Sequence, residues 1–374
     1  LTVEKHPDAD RLNLTTVDIG EDDPLEIVCG APNVDLNLKV PVATVGTWLY
    51  SGDESFKIKK SKIRGCVSNG MICGPDEIGL GPKTDGIMVL SNDAKVGVPG
   101  SEYFDVKSDI VFEIGLTPNR TDAMSHIGVA RDLKAALNSK GHNLKMCLPS
   151  IKDFSIDNND LNIDVEVKSS KLCPRYSGVC ITNIKVQDSP DWLKHRLLSI
   201  GINPTNNVVD VTNYVLHEIG QPLHAFDTSK IEGNKIIIKT AKEGSTFITL
   251  DENERKLSSD DLMICNSNDS MCMAGVFGGL KSGVTKLTTS IFLESAYFNP
   301  VTIRKSAKRH NLSTDASFRY ERGCDPNITL YTLKRAALLI KDLCGGDISS
   351  NIIDLYPKKV DNLKISFSFT SLNN

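Results

Sequence analysis

The residues of this chain best suited to chemistry lie in three short stretches of its second half. Gly220-Gln221-Pro222-Leu223-His224-Ala225-Phe226-Asp227 sets one imidazole among apolar neighbours, in what Gly220 and Pro222 predict as a tight turn just past a helix end. Phe292-Leu293-Glu294-Ser295 sets a lone carboxylate at the close of an apolar run. Ser313-Thr314-Asp315-Ala316-Ser317-Phe318-Arg319-Tyr320-Glu321-Arg322-Gly323 adds a hydroxyl-rich loop. An imidazole to hold or move a proton, a carboxylate to accept hydrogen bonds and hydroxyls to orient a substrate are the parts of hydrolysis or polar recognition. The same residues also fit a satisfied core histidine and a capped strand end, and residue type alone leaves both open.

Such parts need a scaffold, and 374 residues suffice for two domains or three. The 40% hydrophobic and 24% charged content is that of an ordinary soluble globular protein. No apolar run reaches bilayer-spanning length and no secretory leader opens the chain. The start at Leu1, inside a segment that reads as active, predicts a chain cut at both ends. A net charge of −4 excludes indiscriminate coating of nucleic acid while allowing a local basic surface. The ten cysteines are scattered, and none forms a C-x-x-C knuckle with a matching histidine pair. Neither a zinc site nor a disulfide framework is expected, and reduced buried thiols in a cytoplasmic protein fit best.

The first hundred or so residues read as about five short strands, at 12–19, 25–28, 39–45, 56–63 and 70–73, with turns at 20–24, 31–33 and 51–53. That pattern predicts a small barrel, with an OB-fold leading. Lys60, Lys62 and Arg64 would share one side of a period-two strand. Together with Ser68 and Asn69 they point to RNA backbone contact, against the alternative of a solvated edge strand.

From 109 onward the pattern turns to α/β. A strand is predicted at 111–116, a turn at 117–122, a helix at 127–137 and a polar connector at 152–162. Next come a strand at 176–186, a helix opened by Ser189-Pro190 and a helix over 208–219 closed by Gly220. Strands at 235–240, 246–250, 262–265 and 291–293 precede helices over 300–310 and 328–344. The end, 362–374, reads as the first strand of a further domain. Arg304, Lys305, Lys308 and Arg309 cluster on one helix, either steering RNA or simply solvated, and Glu321 with Arg322 reads as a structural ion pair.

Several ordered motifs now coincide with a known family. His6-Pro7-Asp8-Ala9-Asp10-Arg11-Leu12, Cys29-Gly30-Ala31-Pro32-Asn33 and Ser68-Asn69-Gly70-Met71-Ile72-Cys73 resemble tRNA-binding domains in general. More specific are Thr117-Pro118-Asn119-Arg120, Gly128-Val129-Ala130-Arg131-Asp132, Asn207-Val208-Val209-Asp210-Val211-Thr212-Asn213 and Ala274-Gly275-Val276-Phe277-Gly278-Gly279. With Gly220–Asp227 and Ser313–Gly323, they make nearly the whole chain resemble bacterial phenylalanyl-tRNA synthetase beta subunits.

That resemblance implies an α+β, multidomain chain. An OB-fold β-barrel for tRNA binding would occupy 1–108, an α/β editing domain with mixed sheets 109–358, and the start of a following domain 359–374. It implies a cytoplasmic protein that binds tRNA(Phe) and an alpha subunit in an alpha2beta2 heterotetramer, with no membrane partner. The alpha subunit would activate phenylalanine with ATP and Mg2+, while this chain would hydrolyse tRNA(Phe) mischarged with tyrosine. Within these residues it implies no metal and no cofactor.

Carried over by position, Glu294 would read the tyrosine hydroxyl. His224 would place the attacking water or the ester, either as a general base or only by orienting them. Thr314 and Ala316 would form the pocket wall, and Gly278 would leave room for the substrate. The need for such a site is physical. An apolar phenylalanine pocket rejects an isostere carrying one more hydroxyl by only about a hundredfold, whereas a buried acceptor reverses the preference because phenylalanine leaves it unpaired. A tRNA-binding barrel joined to an inactive adaptor and a free-standing trans-editing hydrolase are the rival readings.

Overall fold

The computed structural model describes residues 2–51, 54–81, 84–106 and 109–372. The middle of the turn expected at 51–53, the residues at the expected 108/109 boundary and the last two residues of the tail lie partly or wholly outside them. The chain divides into two compact units, Leu1–Ile110 and Val111–Asn374.

In the first unit β1 (Thr2–His6), β2 (Ala9–Val17) and β3 (Leu25–Cys29) form an antiparallel sheet. Six more strands follow: β4 (Val42–Thr44), β5 (Trp48–Ser51), β6 (Glu54–Lys57), β7 (Ser61–Ile63), β8 (Cys66–Ser68) and β9 (Gly70–Ile72). They pair as β4 with β9, β5 with β6 and β7 with β8, and α1 (Gly100–Tyr103) closes the unit. The described pairings do not close into one barrel, so the expected OB-type barrel reduces to linked small sheets. The long strand expected at 56–63 is broken. Ile58 turns inward to a small core with Ala43, Leu49 and Cys73 while its N–H donates to Thr47 O, ending one strand before the next begins.

The second unit opens differently from expectation. Residues 111–116 form no strand, and Phe112 is 79% exposed; an alternating apolar pattern makes a strand only where a partner edge takes its hydrogen bonds. The tail expected as a strand is irregular from 358 and ends in one helical turn. The connector at 152–162 is no free linker, because Asp157 and Asn158 N–H both donate to Ile348 O and Leu161 N–H donates to Ser349 O.

In chain order the unit runs α2 (His126–Ser139), β10 (Asp164–Val167), β11 (Arg175–Thr182), α3 (Asp191–Leu198), α4 (Asn207–Ile219), β12 (Leu223–Asp227) and β13 (Lys235–Thr240). Next are β14 (Thr246–Ile248), β15 (Glu254–Lys256), β16 (Leu262–Cys265), β17 (Ser270–Met273), β18 (Phe277–Gly278) and β19 (Ile291–Tyr297). Finally come α5 (Pro300–Arg309), α6 (Asp315–Tyr320), α7 (Thr329–Cys344), β20 (Asp347–Ile348), β21 (Ile353–Leu355) and α8 (Phe369–Leu372).

Two sheets form. One is antiparallel, ordered β12-β19-β11-β20, with β21 also on β11; the other, β10-β13-β16-β17-β18, is mixed because β10 runs parallel to β13. Alternate residues of a strand point to opposite faces, and both faces of the antiparallel sheet are covered. Val179, Ile181, Ala225, Ile291 and Leu293 pack on the α3, α4 and α7 side. Tyr176, Cys180, Phe226, Phe292 and Ala296 pack toward the second sheet and helices α5 and α6. Hence β11 and β19 are buried almost throughout rather than in alternation.

Candidate active site

The end of α4 aims the histidine. Asn206 caps the helix start, its Oδ1 accepting from the N–H groups of Val208 and Val209 at 3.1 and 3.0 Å. Gly220 ends it at φ 91°, a left-handed conformation that a side chain would strain, and the chain reverses into β12. The expected turn is therefore Gly220–Pro222 only; His224 itself lies on a strand. It stands opposite Glu294 in the β12–β19 register, and Gly178 of β11 stands opposite Glu294 on the other side. Glu294 is thus mid-strand and not a capped strand end, since β19 continues to Tyr297. The apolar stretch stops at Glu294 in sequence, but the neighbouring strands keep the ladder going.

Glu294 is 3% exposed, and its Oε2 accepts a 2.7 Å hydrogen bond from the phenol of Tyr176, itself fully buried. Burial disfavours the ionised form and lifts its pKa to about 7, the Tyr176 bond working against the rise. Burial drives the His224 pKa the other way, down to about 4, so the imidazole is neutral at physiological pH. Its Nε2 is buried without a hydrogen-bond partner, and its ring meets Phe226 edge-on at 4.4 Å. A neutral ring with a free nitrogen is equipped to bind a water or an ester oxygen, and is too weak a base to hold a proton for long at pH 7.

A cavity of about 80 Å3 opens on these two side chains, several times the roughly 10–15 Å3 that one water needs. Gly278, Ala316, Cys272 and Tyr320 also line it. A Cβ on Gly278 would come within 3.2 Å of His224 Cε1 and 2.8 Å of Leu250 Cδ1, so the bare backbone keeps the space beside the imidazole open. Ala316 lies in the first turn of α6. Thr314 does not reach the cavity. Its hydroxyl donates to Val276 O at 3.0 Å and accepts from Ser317 N–H at 3.0 Å, capping α6 and lacing it to the glycine loop.

Sequence reading missed the residues beneath this cavity. In sequence Tyr176 marks only the head of a strand, yet it shares a face with Glu294 through the β11–β19 register. Gln221 is fully buried, its amide donating to Ala296 O at 2.7 Å and to Pro222 O at 3.1 Å, while its Oε1 is buried without a partner. Tyr320 donates to Ala296 O at 3.0 Å. A buried glutamine beside a proline and an aromatic within a hydroxyl-rich loop were the available signals, but their partners lie on distant strands.

Elsewhere the expected contacts separate. Lys60, Lys62 and Arg64 are exposed but do not share one strand: Lys60 precedes β7 and Arg64 follows it at φ 47°, donating to Asp8 O at 3.3 Å. Ser68 is buried, its hydroxyl accepting from Val28 N–H and donating to Gly70 O, and is thereby spent on the backbone. Asn69 is half-buried and its N–H donates to Glu26 O. On α5, Arg304, Lys305 and Lys308 are exposed, whereas Arg309 pairs with the buried Asp261. Arg322 pairs with Glu321 and stacks over the Phe318 ring at 3.6 Å. All ten cysteines are free, and no His/Cys/Asp/Glu group suited to a metal occurs among the described residues. No helix among them is long and apolar enough to cross a membrane.

Two family models match the chain: "Putative tRNA binding domain" over residues 1–99 and "B3/4 domain" over residues 172–345. The phenylalanine--tRNA ligase beta subunit of Bacteroides fragilis is 57% identical over 355 residues, covering 95% of this chain and 43% of that protein. The protein of the same name from Porphyromonas gingivalis is 54% identical over 374 residues, covering 100% of this chain and 45% of that protein. The chain thus spans somewhat under half the length of these relatives. A solved N-terminal fragment of the phenylalanyl-tRNA synthetase beta subunit from Pyrococcus horikoshii covers 51% of this chain and 59% of its own at 18% identity and a TM-score of 0.30, a likeness too slight to carry any argument.

Proposed function

The chain belongs to the family of phenylalanine--tRNA ligase beta subunits, and from that premise we propose that its second unit proofreads: it hydrolyses the ester of tRNA(Phe) mischarged with tyrosine. The supporting observation is the pairing of a buried carboxyl group, Glu294, with a neutral imidazole, His224, across one rung of a sheet at a cavity. The tyrosine hydroxyl donates to Glu294, a charge-assisted bond when the carboxylate is ionised. Phenylalanine leaves the buried acceptor unsatisfied, which costs about 1–3 kcal/mol. His224 orients the attacking water or the ester oxygen, and the ribose hydroxyl beside the ester relays the proton, taking it from the water while giving its own to the departing ribose oxygen. Alignment of water and ester then supplies much of the rate.

The first unit, which we read as the OB-type tRNA-binding module, holds the RNA backbone through exposed Lys60, Lys62 and Arg64. Support comes from its short strands and its match to a tRNA-binding family model. Activation of phenylalanine with ATP and Mg2+ belongs in this reading to an alpha subunit joined in an alpha2beta2 assembly in the cytoplasm.

A deacylation assay tests the proposal, with tRNA(Phe) charged with tyrosine or phenylalanine and presented to wild type and Glu294→Ala. Faster tyrosine release by wild type, reduced by the substitution toward the phenylalanine rate, is expected. Equal rates on both substrates in wild type would refute proofreading.

A further inference from the structure

The carboxyl group that would read a substrate phenol already holds a phenol of the chain itself. Tyr176 and Glu294 are diagonal neighbours across β11 and β19: Tyr176 stands opposite Ala296, and Glu294 opposite Gly178. Side chains two residues apart share a face, and a diagonal pair lies within reach of a long aromatic ring. Gly178 sends no side chain between them; a Cβ there would fall 2.1 Å from Phe292 Cζ, so the Phe292 ring already occupies that space. The Tyr176 ring is fully buried and its hydroxyl makes its 2.7 Å bond to Oε2 only. No hydrogen bond is described for Oε1, and Glu294 borders the cavity.

We propose that Tyr176 is the positioning residue of the hydroxyl-reading site, holding Glu294 by Oε2 so that Oε1 is the oxygen presented to an incoming phenol. The inference rests on the proofreading reading and refines it: specificity is set by a pair in which one phenol is permanent and the other arrives with the substrate. A carboxyl group in an apolar cavity has no reason to stay ionised or to keep one rotamer without a donor behind it. Tyr176 supplies both conditions. Its hydrogen bond is stronger to the ionised form and so favours it, and its ring is wedged in the core with Phe226, Phe292 and Phe298.

The groups facing Glu294 make its titration readable. Around it stand Tyr176 from β11, Cys173 just before that strand, Cys272 from β17, His224 from β12 and Tyr320 from α6. Burial raises the two thiols and two phenols well above their ordinary values, and His224 titrates near 4. Between pH 5 and 9, Glu294 is the member of this cluster that changes charge.

The test uses the full-length subunit in its native assembly with Tyr176→Phe, which keeps the ring and removes the donor. The tyrosine-over-phenylalanine deacylation ratio is expected to fall about tenfold at pH 7, one lost charge-assisted bond. The pH at which discrimination sets in should move upward, with partial rescue at pH 9. A second variant carries 3-fluorotyrosine at position 176; its more acidic phenol donates more strongly, and the onset should move downward. An unchanged ratio with an unmoved onset in both variants would overturn the assignment. So would a Tyr176→Phe protein that loses both deacylation rates equally without a shift in onset, the mark of a purely structural tyrosine. Absence of a tyrosine preference in wild type would instead remove the proofreading reading itself.

Discussion

Glu294 and His224 are register partners on adjacent antiparallel strands, and burial drives their pKa values in opposite directions, to about 7 and about 4. Each is pushed toward its neutral form, the result of placing two titratable groups in an apolar layer between sheets. Near neutral pH the imidazole is therefore uncharged while the carboxyl group is poised between its neutral and ionised forms, and the acid-base asymmetry lies in what each can accept from a substrate.

Glu294→Gln should stabilise the protein at high pH. The folded-state pKa of Glu294 is raised above its ordinary 4.5, so the folded form binds the proton more tightly. That contribution is fully present below pH 4.5 and is lost as pH rises through about 7. The loss amounts to roughly 3 kcal/mol at 1.36 kcal/mol per unit. Glutamine cannot ionise and still accepts from Tyr176. Urea unfolding at pH 5 and pH 8 should show a variant advantage at pH 8 that disappears at pH 5, while the tyrosine-over-phenylalanine ratio falls.

His224→Ala should separate rate from discrimination. The turnover of tyrosine-charged tRNA is expected to drop by about a hundredfold, the lower end of what a positioned acid-base group contributes. Its ratio to phenylalanine should persist, because Glu294 remains. In wild type the His224 ring should titrate near 4 by NMR, with no inflection in activity at the ordinary histidine value. Full deacylation by His224→Ala would leave the histidine without any catalytic part.

Gly278→Val should close the site without unfolding it. A Cβ meets His224 Cε1 at 3.2 Å and the mobile tip of Leu250 at 2.8 Å, contacts that a side-chain shift can relieve at the expense of the cavity. Deacylation is expected to fall at least tenfold, with a thermal midpoint within a few degrees of wild type. A variant that edits normally would place the substrate elsewhere.

Replacing Lys60, Lys62 and Arg64 together by glutamine should weaken tRNA binding and flatten its dependence on salt. At about 0.7 per phosphate contact on a single strand, losing three contacts lowers the log–log slope by roughly 2. Fluorescence anisotropy across a salt series reads this directly. An unchanged slope would mean that these exposed cations only solvate the edge of the first unit.

Much of the second unit was legible because its signals are local. The cap at Gly220, Pro300 in the first turn of α5 and the apolar periodicity of α4 and α7 depend on residues a turn apart, and those elements stand where the pattern put them. The first unit was harder. Strand 48–51 and the interruption at Ile58 follow from which backbone groups find partners, and neighbours in sequence do not reveal that. The stretches at 111–116 and 362–372 show the converse, an alternating pattern left without a ladder.

The amino-acid sequence by itself determined the family, the presence of a histidine, a carboxylate and a glycine-rich loop, and most helices of the second unit. Only the tertiary structure decided that His224 and Glu294 share one rung, that the Thr314 hydroxyl is spent on capping α6 and on Val276 O, and that Tyr176 donates to Glu294. The reason is physical. Helix periodicity and caps are set by contacts within one turn, whereas strand register joins residues far apart in the chain and fixes which side chains meet across a buried face.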